Sequence, residues 1–200
     1  MSVVGVLALQ GGFDVHAQAL RRLGHEVVLV RSRCDLEGAE GLILPGGEST
    51  VQWKLLESAD LVDPVRRFAW SGRPILATCA GLILAARRVT ASPVPSDADG
   101  VASSLGLVDV DVVRNAYGRQ LDSFEGQDDA GRYDLVFIRA PRITRIGAGV
   151  QVLATLSSEA ILVRQGTIVA ATFHPELTRQ GSVHAMVFGG SPRPGVTSAS

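Results

Sequence analysis

Apolar residues follow two rhythms along this chain. Short, nearly continuous apolar runs at residues 3–9, 26–30, 41–44 and 74–77 predict strands buried on both faces. Between them, residues 14–23, 51–58 and 61–71 carry apolar positions at helical spacing. Asp14 is placed to cap the first of these helices, and Ser49 or Thr50 the second. The run from Gly81 to Val89 reads as a further helix, entered directly from the strand at 74–77. This alternation predicts an α/β fold in three layers, a mostly parallel sheet with helices on both faces. The rhythm changes after Val89. Residues 91–104 are rich in Pro, Ser, Asp and Gly and read as an exposed loop. Strands then dominate at 107–113, 135–138, 150–156, 160–164 and 168–173, some joined by turns as short as Gln165-Gly166, which predicts antiparallel additions to the sheet. Residues 1–188 form one expected domain, and 189–200, rich in Gly, Pro and Ser, an expected disordered tail.

Composition narrows the function classes. Two hundred residues suit one domain, and 46% hydrophobic with 20% charged residues suits a globular one. A net charge of −1, with both signs interspersed, lacks the basic stripe that nucleic-acid binding requires. The opening apolar run has no basic segment before it and breaks at Gln10, so it reads as a strand, not as a signal peptide or membrane span. The two cysteines, Cys34 and Cys79, show no metal-type spacing, and a reduced, cytoplasmic setting is the expectation. Cys34 falls in a polar stretch, 31–35, as an incidental thiol.

Three segments carry candidate chemistry. In Ile75-Leu-Ala-Thr-Cys-Ala-Gly81, Cys79 stands where a strand turns into a helix, a place where helix amides favour a thiolate and can hold an oxyanion. A buried, inert thiol is the alternative, since free cysteine is often buried. In Pro45-Gly-Gly-Glu-Ser-Thr50, a phosphate loop is disfavoured because no lysine follows and Glu48 would repel the anion. The glycine amides could serve an oxyanion or a polar substrate, or the segment is a plain β-α turn. In Thr172-Phe-His-Pro-Glu176, His174 and Glu176 share one face if the backbone is extended, giving a base held by a carboxylate. Each signal is common alone. Together, at three strand ends, they compose a cysteine-nucleophile triad with an oxyanion loop.

These segments resemble the class I glutamine amidotransferases and, within them, the family of glutaminase subunits of pyridoxal 5'-phosphate synthase. The resemblance rests on Gly5-Val-Leu-Ala-Leu-Gln-Gly11 with His16, on Pro45–Thr50, on Thr78-Cys-Ala-Gly-Leu-Ile-Leu84, and above all on Arg114-Asn-Ala-Tyr-Gly-Arg-Gln-Leu-Asp-Ser-Phe-Glu125 followed by Phe137-Ile-Arg-Ala-Pro141. It implies a flavodoxin-like sheet, Cys79 as nucleophile, His174 as base and Glu176 as its orienter. It further implies L-glutamine contacts from Gly47, Glu48, Ser49, Arg114, Ile138 and Arg139, and an oxyanion hole from the backbone of Gly47 and Ala80. No metal or organic cofactor is implied. The partner implied is a synthase subunit that receives the ammonia inside a large hetero-oligomer, with no nucleic acid and no membrane. Gln10, Gly11 and His16 are assigned to that subunit contact, with a satisfied surface histidine as the rival for His16; His25 and His184 have no evident role. For Arg114 and Arg139 the rival is a structural ion pair with Asp111, Asp122 or Glu125.

Three departures from the family pattern stand out. Ala77 replaces a usual glycine before the elbow, the loop at 91–104 is unusually rich in Pro and Asp, and Gly189-Gly190 interrupts the segment where the family has a long closing helix. Two other function classes remain open on sequence alone: another elbow-cysteine enzyme, such as a peptidase, and a binding protein that has lost turnover.

Overall fold

In the computed structural model, which describes residues 1–91, 103–114, 123–178 and 181–189, the apolar runs form a seven-stranded sheet. Its strands are β1 (Val3–Leu7), β2 (Glu26–Val30), β3 (Gly41–Leu44), β4 (Ile75–Thr78), β10 (Gln151–Leu156), β11 (Glu159–Gln165) and β12 (Ile168–Ala171), in the order β10-β11-β12-β4-β3-β1-β2. The five from β12 to β2 run parallel, and β11 and β10 add antiparallel at one edge. Side chains alternate across the pleat. Leu42 and Leu44 enter one core with Ile75, Ala77 and Ala170, while Ile43 enters the other with Leu76, Val169 and Ala171. On the first face pack α3 (Ser49–Ser58), α4 (Val62–Trp70) and α5 (Ala80–Ala85), through Leu56, Val65, Phe68 and Leu82. On the second pack α1 (Phe13–Arg22) and α6 (Ser182–Phe188), through Leu20 and Val183. The three layers and the antiparallel additions match the expectation.

Several local readings are corrected. Gly12, not Asp14, precedes α1, and Asp14 sits in its first turn. Glu48, not Ser49 or Thr50, caps α3, its carboxylate accepting from the N–H groups of Thr50 and Val51 at 3.1 and 2.8 Å. The polar stretch around Cys34 folds into a short helix, α2 (Arg33–Glu37), because Ser32 and Asp35 form a capping box. The helix after the elbow ends at Ala85, and β5 (Ala86–Ala91) takes over where β-branched Val89 and Thr90 favour extension. β5 pairs with β6 (Val108–Arg114), and β6 in turn with β9 (Arg142–Ile146), in a separate small sheet, while β7 (Ser123–Gln127) pairs with β8 (Asp134–Ile138) in another. A short closing helix, α6, forms and stops at Phe188, with Gly189 as its C-cap, as the glycine at that position led one to expect. Most of the 91–104 loop, residues 115–122 of the Arg114–Glu125 motif, and residues 190–200 of the expected tail lie outside the described residues.

The entry to α5 is a tight fit. A Cβ at Gly81 would collide with the Leu44 carbonyl at the end of β3, so only glycine lets α5 lie this close to the sheet. Ala77, by contrast, is fully buried beside its ladder partners Leu44 and Ala170, and its methyl is accommodated there. Gly81→Ala is expected to cost about 2 kcal/mol by overpacking, or about 4–8 °C in Tm. Thermal unfolding followed by circular dichroism checks this; an unchanged Tm would contradict the close approach.

Candidate active site

Parallel pairing brings four strand ends to one edge of the sheet, and each supplies part of the site. β4 delivers Cys79. Its N–H donates to the Ala171 carbonyl at 2.9 Å, and its backbone takes φ 48° and ψ −103°, a conformation rare for a residue with a side chain. That strain turns the chain sharply into α5 and leaves the thiol at the sheet edge, 5% exposed. The sulfur faces the Ile138 carbonyl at 3.9 Å. β12 delivers His174, whose N–H donates to the Val136 carbonyl at 2.8 Å, followed by a 3₁₀ turn, Pro175–Leu177, that carries Glu176. His174 Nδ1 lies 2.7 Å from Glu176 Oε1, and the ring also interacts with the Cys79 side chain.

The electrostatics of this line are directional. Burial disfavours a charged His174, but hydrogen bonds to Cys79 and Glu176, and their charges, outweigh it and raise its pKa to about 10. Burial also disfavours an ionised Glu176, but the neighbouring His16 and the hydrogen bond from His174 overcome it and hold the carboxyl below its ordinary range. The ring therefore carries a proton through neutral pH, next to the sulfur.

β3 delivers the glycine loop. A Cβ on Gly46 would stand 2.5 Å from His174 Cε1, so glycine is required for the loop to reach the imidazole. The loop is tied to the segment after β1: Gly12 N–H donates to the Gly46 carbonyl at 3.0 Å, and Glu48 N–H to Gln10 Oε1 at 2.9 Å. Buried Gln52 donates to the carbonyls of Gln10 and Pro45. Gln10, expected at a subunit contact, thus braces the loop together with Gly12, and it also lines the cavity.

A cavity of about 450 Å³ opens over the sulfur, lined by Gln10, Gly47, Glu48, Ser49, Cys79, Ile83, Arg114, Ile138, Arg139 and His174. It holds all six residues expected to contact glutamine. Glu176 stands behind His174, and Ala80 opens α5, its N–H preceding the intrahelical ladder. Arg114 donates to Thr50 Oγ1 at 2.9 Å and keeps a buried Nε without a hydrogen-bond partner among the described residues. Asp111 pairs instead with Arg145 at 3.1 Å, and Asp122 lies outside the described residues. Glu48 spends its carboxylate on the α3 cap; partial burial pushes that carboxyl up, and the hydrogen bonds from Val51 and Thr50 with the charge of Arg114 bring it below the usual range.

Behind the triad lie residues that the sequence reading misplaced. His16 is not at the surface: it is 0% exposed, 3.1 Å from Thr78 Oγ1 and 3.3 Å from Glu176 Oε2. His184, also 0% exposed, meets it from α6. The signal was present in the helical phase, since His16 shares the face of Ala19 and Leu20, three and four residues on. His25 is a structural tie, bonded to Ser2 Oγ and to the Gly189 carbonyl, both at 2.9 Å.

The model of the SNO glutamine amidotransferase family matches residues 6–188. The chain belongs to this family. Relatives annotated by name as pyridoxal 5'-phosphate synthase subunit PdxT include one from Corynebacterium jeikeium, 46% identical over 91% of this chain and 93% of its own length. Another, from Solibacter usitatus, is 47% identical over 93% and 97%. A crystal structure of a glutamine amidotransferase superposes with a TM-score of 0.82 at 43% identity, covering 92% of this chain and 96% of that one. The PurLQS structure from Thermotoga maritima, 17% identical with a TM-score of 0.58 over 94% and 93%, shares the fold.

Replacing Glu176 by Gln removes the charge that supports the imidazolium, so the pKa of His174 should fall from about 10. The alkaline limb of the kcat/KM profile is expected to move to lower pH, with kcat reduced. An unmoved limb in the folded variant would show that Glu176 does not govern the ring.

Proposed function

We propose that this chain hydrolyses L-glutamine to L-glutamate and ammonia through Cys79, His174 and Glu176, as the glutaminase subunit of a pyridoxal 5'-phosphate synthase. The observation that carries the reading is the geometry of His174, 2.7 Å from Glu176 on one side and beside the elbow sulfur on the other, at the floor of the cavity. The Cys79 thiolate attacks the side-chain amide carbon, and the carbonyl electrons collect as an oxyanion. Backbone N–H groups of Ala80 and Gly47 receive that charge. In support, the Gly46 carbonyl is engaged by Gly12, so the Gly47 N–H in the same trans peptide plane points away from that anchor. Collapse of the intermediate expels the amide nitrogen, which takes the proton of His174 and leaves as ammonia. The neutral ring then draws a proton from water, whose oxygen attacks the γ-glutamyl thioester. A second collapse releases glutamate and returns the proton and the thiolate to their starting places.

Substrate binding follows from the same cavity. The Arg114 Nε, without a hydrogen-bond partner among the described residues, suits the α-carboxylate of glutamine, with Arg139, Ser49 and the backbone near Glu48 and Ile138 closing the site around the amino acid. The relatives' name, pyridoxal 5'-phosphate synthase subunit PdxT, supports a synthase partner; in this reading that partner consumes the ammonia within a hetero-oligomer in the cytoplasm. No helix among the described residues is long and apolar enough to cross a membrane.

Glutamate release from free glutamine, measured with and without the synthase subunit, tests the activity. Cys79→Ala should lower kcat by on the order of 10³-fold or more; no release by the wild-type chain in either setting would reject the reading. A glutamine-mimicking electrophile should label Cys79 in preference to exposed Cys34; equal labelling would argue against an activated nucleophile. Arg114→Ala should raise KM for glutamine about tenfold or more, with a smaller effect on kcat, as expected for a lost charge-assisted hydrogen bond. An unchanged KM would remove Arg114 from substrate binding.

A further inference from the structure

The triad does not end at Glu176. The carboxylate is 4% exposed, and only one of its oxygens, Oε1, is met by His174. The other, Oε2, is equally shut off from solvent and has no well-aligned hydrogen bond among the described residues. His16 Nε2 stands 3.3 Å from it and 3.1 Å from Thr78 Oγ1, on the strand that leads to Cys79. On its far side, His16 Nδ1 lies 2.9 Å from His184 Nε2. These two imidazoles are fully buried, and no step of the proposed reaction uses them.

Their protonation pattern follows from three contacts. A bare Nε2 lone pair on His16 would face a carboxylate oxygen and repel it, so Nε2 carries the proton. His16 Nδ1 is then an acceptor, and His184 must donate from its Nε2. That leaves His184 Nδ1 as an unprotonated nitrogen, and this is the atom of the pair that is buried without a partner among the described residues. The opposite pattern would bury an unpaired N–H there. Burial, larger than any neighbouring charge, keeps both rings neutral: it lowers the pKa of His16, and it lowers that of His184 to about 3. The titratable or charged groups facing this pair are Glu176 and His174 from the strand end after β12, and Arg22 from the last turn of α1.

We propose that His16 is a positioning residue of the reaction, holding Glu176 Oε2 through its Nε2–H, with His184 fixing the tautomer that makes this possible. The line of side chains is therefore Cys79, His174, Glu176, His16 and His184, with an imidazole nitrogen near each oxygen of the carboxylate, at 2.7 and 3.3 Å. Its consequence is that Glu176 stays ionised and in one orientation despite its burial, so His174 keeps its proton and its aim. His16 touches neither substrate nor sulfur and acts only through Glu176. The proposal rests on the triad reading above.

The test compares His16→Leu, which removes the donor, with His16→Gln, whose side-chain amide places a nitrogen donor near the position of Nε2, each assayed in complex with the synthase subunit. His16→Leu should lower kcat about tenfold with KM for glutamine unchanged, and raise the acidic limb of kcat/KM by about one pH unit as Glu176 becomes easier to protonate. His16→Gln should recover most of the rate and return the limb toward its wild-type position. A folded His16→Leu chain with wild-type kcat and pH profile overturns the proposal. So does an equal loss in both variants with unmoved limbs, which would mean a packing role only. Should His16→Leu not fold, nitrogen NMR of the labelled wild-type chain decides: at neutral pH His16 should be neutral with its proton on Nε2, and a proton on Nδ1 or a cationic ring overturns the assignment. Cys79→Ala run alongside separates the two levels, because ammonia release without Cys79 would sink the triad reading itself.

Discussion

The parallel ladder linking β12, β4 and β3 is the constraint on which the site depends. Ala171 stands opposite Thr78, and Ala77 opposite Leu44, so these strands end at one level. A parallel sheet buried on both faces cannot slip by a residue without turning Leu76 and Ile75 into the wrong cores. Cys79, His174 and the glycine loop each begin within a few residues of those ends, so their spacing is inherited from the sheet. The geometry of the candidate site is an extension of core packing.

Two kinds of local strain convert that register into a reactive arrangement. Cys79 adopts a backbone conformation that its own side chain disfavours, and β4 pairing with β12 on one side and α5 packing on the other hold it there. Glycines 46 and 81 mark where the backbone comes against the His174 ring and against the β3 carbonyl, distances that any methyl group would widen. The Gln10–Gly12 segment then braces the loop through both backbone and side chain, which makes the first βα turn part of the same rigid frame.

Much of this was legible in the sequence, for identifiable reasons. The continuous runs of β1, β3, β4 and β12 declare strands buried on both faces, and Cys79 follows β4 directly and His174 lies three residues past the end of β12. What was not legible depends on tertiary context. The switch from helix to strand at Ala86 comes at the end of an alanine-rich apolar run that favours helix, just before Arg87-Arg88, and β-branched Val89 and Thr90 together with pairing to β6 decide otherwise. α2 was hidden because its stability comes from a capping box more than from an apolar stripe. The cap of α3 fell to Glu48, one residue earlier than the hydroxyl residues preferred for that role. His16 was misplaced because a histidine's burial is settled by partners from distant segments, here Thr78 and His184, 62 and 168 residues away.

The tie made by His25 bears on the shape of the chain as a whole. One imidazole bonds Ser2 at one nitrogen and the carbonyl of Gly189 at the other. In an unfolded chain of this length, whose radius of gyration is about 48 Å, those two points would rarely meet. In the fold they share a single ring, so the path of the backbone from Ser2 to Gly189 is nearly a closed circuit. A circuit of that kind has no privileged starting point. The order of its strands could be opened at an exposed turn and rejoined across His25 with the sheet, and the strand ends that carry the site, left in place.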